Sequence, residues 1–257
     1  MKISIITVCY NSESTIQDTI LSILSQDYDD IEYIIIDGGS KDKTLEIIEK
    51  YSSSISKLVS EPDKGIYDAM NKGVALSTGD VVGVLNSDDY LSHDSVVTNI
   101  VNAFVSDVSI DAVYGDIVFV ESGLSKKVKR FYSLPNFKPW QFRFGWMPPH
   151  TGTFIKKSVY QALGDYQLNY KIASDYELFV RFFYKNKLKL TYIDEVVTVM
   201  RLGGVSTSGV KNSILLNREI VNACKGNGIY TNIFFVSLKI PFKALEFVKR
   251  PKKSLLK

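Results

Sequence analysis

The sequence predicts an α/β protein organised around a mostly parallel sheet, and three observations predict it. Through the first ninety residues, short continuous apolar segments of buried-strand type alternate with segments whose apolar residues recur at helical spacing. The strand segments close in polar or glycine-rich turns. The sharpest change falls within DVVGVLNSDDY (80–90), where Val81, Val82, Val84 and Leu85 give way to Asn86, Ser87, Asp88 and Asp89. Finally, 257 residues at 45% hydrophobic and 23% charged content describe an ordinary folded chain, long enough for one large α/β domain with an appendage.

Taken in order, Lys2 to Tyr10 reads as a β-branched strand, and Asn11 to Gln26 as a helix carrying Ile16, Ile20, Ile23 and Leu24 on one face, with Ser12 or Ser14 as its cap. Ile31 to Ile36 is a second strand, closed by Asp37, Gly38, Gly39 and Ser40, and Thr44 to Tyr51 is a second helix. After a third strand, Ser56 to Ser60, Asp63 caps a helix bearing Ile66, Met70 and Val74, and Val81 to Leu85 is the fourth strand. Strand alternating with helix means right-handed crossovers and a Rossmann-like half. No GxGxxG follows the first strand, which removes the main support for a dinucleotide-binding dehydrogenase.

Cys9 and Cys224 lie at opposite ends of the chain without partners at metal-ligand spacing, so neither a disulfide framework nor a zinc site is expected, and a reducing cytoplasm is the simplest home. The N-terminal apolar segment is too short and too interrupted for a signal-peptide core, and no stretch is long enough to span a bilayer. Net charge is +3 but unevenly placed. From Lys239 to Lys257 seven basic residues face only Glu246, a local +6 that leaves the rest of the chain at −3. No nucleic-acid partner is expected, and oligomeric state is left open.

In an open parallel sheet, ligands bind beyond the carboxyl ends of the strands, so Asp88 and Asp89 are placed to meet one. Hard oxygen donors of this kind suit Mg²⁺ or Mn²⁺, which in turn suit a diphosphate. The same dipeptide also fits a solvated turn in which Asp89 caps a following helix.

The segments TVCYNSESTIQDTILSILSQDY, IIIDGGSKDKT, EPDKGIYDAMNKGVALSTGD, VVGVLNSDDYL, PPHTGTFIKKSVY, ASDYELFVRF and RLGGVS, in this order, resemble the family 2 glycosyltransferases. That family has the GT-A fold and transfers a sugar from a nucleotide-sugar with inversion; within it the chain looks most like bacterial enzymes of O-antigen, capsule and exopolysaccharide synthesis. The resemblance implies that Thr7, Tyr10 and Asp37 hold the nucleoside, with Asp37 accepting the imide N–H of uracil, and that Asn71 lies beside the donor. It implies that Asp88 and Asp89 hold a divalent metal, Mn²⁺ or Mg²⁺, although the first acidic position of the motif is here Asn86, which is left to bond a ribose hydroxyl. Asp175 occupies the place of the catalytic base, where the alternative is a helix cap by Ser174 or Asp175. Arg201 opens a glycine-containing loop over the donor, where a guanidinium suits a diphosphate. His150 matches a histidine near the acceptor or diphosphate, while His93 reads as structural. Trp140 and Trp146, within an aromatic run from Phe131 to Trp146, are acceptor candidates, since sugars present C–H faces to such rings; a core role fits them equally.

The expected organisation is a glycosyltransferase domain over residues 1–228, with a nucleotide-sugar half (1–90) and an acceptor half (91–228), followed by a basic amphipathic tail (229–257). The expected reaction takes a hexose from a UDP-sugar to a glycan acceptor carried on polyprenyl diphosphate. The tail is expected to lie on the anionic inner face of the cytoplasmic membrane, or else to pack as a final helix. A catalytically inactive sugar-nucleotide or glycan-binding protein is the alternative, because Asn86 and Ser174 stand where acids are usual.

Overall fold

Apolar runs without alternation belong to strands covered on both faces, and the first strand, β1 (Ile3–Cys9), is buried at every position. The computed structural model describes residues 1–121, 127–202 and 209–246. β1 and α1 (Ile16–Leu24) are followed by β2 (Ile31–Asp37), α2 (Thr44–Glu49), β3 (Lys57–Ser60), α3 (Ile66–Leu76) and β4 (Val81–Asn86). The four strands run parallel in the order β3-β2-β1-β4. This is the alternating half expected from the sequence.

The rest of the sheet mixes antiparallel and parallel pairs. The chain continues through β5 (Tyr90–Leu91), α4 (Val96–Ser106), β6 (Ala112–Val120), β7 (Val128–Tyr132), β8 (Thr153–Lys156), α5 (Lys157–Leu163), α6 (Ser174–Phe179) and β9 (Leu190–Arg201). β8 joins β4 antiparallel; β6 pairs antiparallel with β8 and β7 and parallel with β9, against which β5 closes the order. Hydrophobic period fixes which face a residue takes but not which neighbour its strand finds.

Successive strand residues feed opposite sides of the sheet. Ile6, Val8, Ile34, Ile36, Val82 and Val84 pack with Met70 and Val74 of α3, while Ile3, Ile5, Ile35, Val81 and Leu85 pack with α1 and α4. At Gly73 of α3 an added Cβ would collide with the Ile6 side chain, so the glycine sets how closely this helix approaches β1. The expected caps are not those observed. Thr15 precedes α1 and Gly65 precedes α3, neither with a side-chain cap bond. Ser12 instead bonds Ser87, and Asp63 accepts the Gly65 N–H. Asp89, offered as a helix cap, is buried and distant in sequence from Ser95, the residue that precedes α4.

The C-terminal segment packs back on the body. α7 (Gly209–Gly226) leads into α8 (Ile233–Ser237), capped by Asn232 through the Phe235 N–H at 3.0 Å, and α9 (Ile240–Leu245). Ile229 and Val236 belong to the large apolar cluster under α3 and α6, so the boundary expected after residue 228 does not separate two packing units. Residues 247–257, with most of the basic tail, lie outside the described residues, as do Gly203 and Gly204 of the expected lid. Replacing Val236, fully buried, with Ala should cost about 2 kcal/mol in urea denaturation, whereas Phe234→Ala, at an exposed ring, should cost a small fraction of that.

Candidate functional site

The carboxyl ends of the parallel strands carry the acidic loop 86–89, and its backbone is tied down from two sides. Thr19 of α1 donates its hydroxyl to the carbonyls of Asp89 and Ser87, at 2.6 and 3.0 Å. Arg201, at the end of β9, donates to the Asp88 carbonyl at 2.8 Å, pairs with Asp18, and stacks over Tyr90. The guanidinium expected on a diphosphate is therefore engaged in bracing this loop.

Within the loop the two acids differ. Asp88 is half-buried and its carboxyl is pushed up by burial, with Arg201 pulling the other way. Asp89 is fully buried; burial and then the charge of Asp88 push its carboxyl well above the usual range, against the bond from the Asn86 amide at 3.1 Å. Asn86 Oδ1 and Asp89 Oδ1 are enclosed with no hydrogen-bond partner among the described residues. Asn86 is thus turned toward Asp89, and of the two acids expected to hold a metal only Asp88 is partly exposed. Among the described residues no group of three or more histidine, cysteine or acidic side chains could cage an ion. A half-buried Asp88 without such a cage still fits Mg²⁺ or Mn²⁺, which keep several waters and bind through one or two carboxylates plus substrate phosphates.

A second cluster forms where α6 meets α3. Asp175, in the first turn of α6, accepts the Tyr176 N–H at 2.8 Å and lies 3.4 Å from the Tyr67 hydroxyl. Tyr67, the second residue of α3, donates that hydroxyl to the Ile172 carbonyl at 2.6 Å and stacks on Tyr166 at 5.8 Å. Tyr166 Oη and His150 Nε2 share a hydrogen bond of 2.6 Å. Burial pushes the Asp175 carboxyl up, and nearby His150 partly offsets this; burial likewise lowers His150, favouring the neutral imidazole. Because α3 starts just past the carboxyl end of β3, this cluster sits on the same edge of the sheet as Asp88. Neither Ser174 nor Asp175 caps α6: Ala173 precedes it, and Ser174 donates to the Gln167 carbonyl.

What positions Asp175 is a residue the sequence reading passed over. Glu219 of α7 is buried, and its carboxylate accepts the backbone N–H groups of Lys171, Ile172 and Ala173, each at 2.9 Å. These three residues lead directly into α6. Arg181 holds the preceding turn through the carbonyls of Leu163, Gly164 and Asp165 while pairing with Glu177. The sequence offers one signal for Glu219, an acid on an otherwise apolar stretch of helix (EIVNAC), and none for its partner.

Other expected residues are placed differently. Thr7 is fully buried in the middle of β1, where it accepts the Tyr33 hydroxyl, so it cannot reach a nucleoside. Asp37 is also fully buried, and its oxygens are taken by the N–H groups of Gly39 and Ser40 and the hydroxyls of Ser40 and Ser60. It shapes the turn instead of presenting an open acceptor edge. Asn71 bonds both the N–H and the carbonyl of Tyr166, at 2.9 and 2.8 Å, and so holds the acceptor-side loop. Tyr10 does stand free: it is 61% exposed beside Gly38, where the absence of a Cβ leaves room for Asp63 and the Tyr10 ring. Trp146 stacks on Tyr132 and lines a cleft with Gln141, Phe242 and Glu246, whereas Trp140 is exposed against Phe144; neither belongs to the Asp175 cluster. His93 Nε2 lies 2.6 Å from a carboxylate oxygen of Glu195.

With this geometry in place, residues 4–163 match the sequence profile of glycosyl transferase family 2. The chain belongs to that family. It is 27% identical over 216 residues to a PGL/p-HBAD biosynthesis glycosyltransferase of Mycobacterium bovis, covering 82% of each chain. Among solved structures, S. aureus TarS 1-349 in complex with UDP-GlcNAc aligns at a TM-score of 0.70 and 18% identity, over 95% of this chain and 74% of that one. The mannosyltransferase PcManGT of Pyrobaculum calidifontis in complex with GDP-Man and Mn²⁺ aligns at 0.61 and 16%, over 96% and 73%. The fold of this glycosyltransferase is GT-A.

Turning one carboxylate oxygen of Glu219 into an amide NH2 sets a donor against at least one of the three backbone N–H groups, and a displacement of about 1 Å at a reacting group costs on the order of 100-fold in rate. In the glycosyltransferase, Glu219→Gln should therefore lower kcat at least about tenfold while moving the donor KM less than about twofold. Steady-state kinetics checks this, and an unchanged kcat in the folded variant would remove Glu219 from the positioning of Asp175.

Proposed function

We propose that this glycosyltransferase moves a hexose, with inversion, from a UDP-sugar to a hydroxyl of a glycan carried on polyprenyl diphosphate, in bacterial surface polysaccharide synthesis at the inner face of the cytoplasmic membrane. The observation that carries the reading is the pairing of two acids on one edge of the sheet, Asp88 at the end of β4 and Asp175 beside Tyr67 and His150. One suits the diphosphate end of a donor and the other suits a proton. The UDP-GlcNAc bound by TarS supports a UDP-sugar, and the Mn²⁺ bound by PcManGT supports a divalent ion at Asp88. The biosynthetic name of the mycobacterial relative supports a role in assembling a larger glycosylated product.

Bound at Asp88, the ion would supply Lewis-acid charge to the departing diphosphate. Tyr10 offers its exposed ring as a face for the uracil. Asp175 accepts the proton of the acceptor hydroxyl as that oxygen bonds to the anomeric carbon; the bond from that carbon to the diphosphate breaks, and UDP leaves with the electron pair. Burial keeps Asp175 basic enough for this, while burial lowers nearby His150 toward the neutral imidazole, which Tyr166 holds in place.

Asp175→Asn should lower transfer by roughly a hundred- to ten-thousand-fold with donor binding nearly intact. The wild-type rate should fall with acid along a limb above the ordinary aspartate range, since the Asp175 carboxyl is raised by burial. A raised carboxyl also means that the folded state holds the proton more tightly than the unfolded one, so stability falls as pH rises through the window between the two values. Asp175→Asn should therefore raise Tm at neutral pH and lose that advantage below the unfolded value. A thermal melt at the two pH values tests it.

Transfer should vanish with EDTA and return with Mn²⁺ or Mg²⁺, and Asp88→Ala should weaken UDP binding only when metal is present. Full activity after chelation would exclude the metal role. A screen of UDP-sugars for hydrolysis, with and without Mn²⁺, checks the donor class; tight UDP binding with no turnover on any of them would favour the inactive binding protein instead.

A further inference from the structure

Two segments distant in sequence build one exposed aromatic surface. On the first, Trp140 meets Phe144 edge-on at 6.0 Å; Phe144 meets Phe235 of α8 at 5.6 Å, and Phe235 in turn touches Phe234 and Tyr230, at 6.1 and 6.2 Å. Trp140, Tyr230, Phe234, Ile240 and Phe242 are each at least 58% exposed, while Val236 and Ile229 on the opposite side are buried in the core. The backing of this surface is fixed, since the Thr231 hydroxyl donates to the Arg143 carbonyl at 2.5 Å and Lys239 is turned inward to the Gly145 carbonyl. Single exposed apolar residues need no explanation, but a chain of rings from Trp140 to Phe234 and Tyr230, with Ile240 and Phe242 exposed in the helix that follows, does.

The two segments that build the surface carry charge of one sign. Exposed Arg143 lies over the Phe235 ring at 5.9 Å, and Lys138 is exposed two residues before Trp140. Neither 122–164 nor 220–245 contains an aspartate or glutamate, and Glu246, the first acid to follow, is paired with Arg130. Beyond it the sequence adds Lys249, Arg250, Lys252, Lys253 and Lys257 with no acid. A second copy of the same face would meet like charge. An anionic bilayer surface supplies what the face lacks: headgroup charge for the cations and an acyl boundary for the rings, with tryptophan and tyrosine at the depth they prefer.

We propose that the face formed by Trp140, Tyr230, Phe234, Ile240 and Phe242 docks this protein on an anionic lipid surface. It deepens the lipid-linked acceptor reading and rests on it for its purpose, because docking confines enzyme and acceptor to one plane. No helix among the described residues is long and apolar enough to cross a membrane, which fits a surface that lies on the bilayer.

The test uses the full chain. Flotation with phosphatidylglycerol-containing vesicles at low salt should bring the protein up, and pure phosphatidylcholine or high salt should release most of it. The tryptophan emission should shift to the blue on binding, and Trp140→Phe should remove most of that shift. Phe234→Ser combined with Ile240→Ser should weaken vesicle partition at least about tenfold while leaving Tm and UDP-sugar hydrolysis unchanged. If that variant floats as well as wild type, or if wild type ignores anionic vesicles, the proposal is overturned. A wild-type dimer in sedimentation that the same substitutions dissolve would assign the face to a second copy instead. If vesicle binding holds but no lipid-linked acceptor is glycosylated, the acceptor reading fails and the docking surface stands.

Discussion

A single buried carboxylate fixes the geometry on which the site depends. Glu219 is enclosed in α7, and burying an ionised group without partners would cost several kcal/mol; three backbone N–H groups at 2.9 Å supply those partners. The bargain is mutual, because the loop 171–173 has no strand or helix of its own to satisfy those donors. Holding them in register sets the start of α6, and the start of α6 sets Asp175. The Ile172 carbonyl between them receives Tyr67 from the first turn of α3, which ties that helix to the loop leading into α6. Residues outside the Asp175 cluster thereby determine where Asp175 stands.

The buried acids of this chain divide by what surrounds them. For Glu32, burial alone would raise the carboxyl, but bonds from Ser4, Thr78 and Lys57 outweigh it and hold the group far below its usual range. Asp37 is likewise met by donors from its own turn and from Ser60. Asp88, Asp89 and Asp175 share the burial without donors to match, and all three are raised. The first group is complete as it stands and maintains the sheet ends. The second is held in an environment that a cation or a proton would complete, which is the electrostatic condition expected of a site that binds and reacts.

This division explains what could be read from the sequence. The four parallel strands and their helices follow from hydrophobic period, and the acidic loop follows from a strand that ends in two carboxylates. Position along a strand does not reveal whether a polar side chain is spent internally. Thr7 and Asp37 lie where a nucleoside contact is plausible by order, yet Tyr33 and the Ser40 and Ser60 hydroxyls take them first. Asn71 was expected beside the donor and not as a loop clamp, because its partner Tyr166 is 95 positions away. Glu219 meets Ala173 across 46 positions, and nothing local names that partner. The antiparallel pairing at β8 escaped for the same reason: a strand of four residues has no periodic signal that names its neighbour.

The C-terminal segment shows the opposite problem, a pattern that is visible but inverted by packing. An amphipathic helix in a globular protein turns its apolar side inward and its lysines outward. Here Val236 follows that rule, while Lys239 is turned inward and Phe234, Ile240 and Phe242 face out. Leaving a phenylalanine in water forgoes about 1.5–3 kcal/mol relative to burying it, and enclosing an ammonium requires an acceptor to offset its lost hydration. Folding stability alone would favour the reverse assignment at these positions. The proposed lipid surface, apolar at its acyl boundary and negative at its headgroups, would offset that cost. Docking there would set the height and tilt of the open edge of the sheet without reaching the Asp175 cluster: the same α7 that backs this face through α8 also carries Glu219.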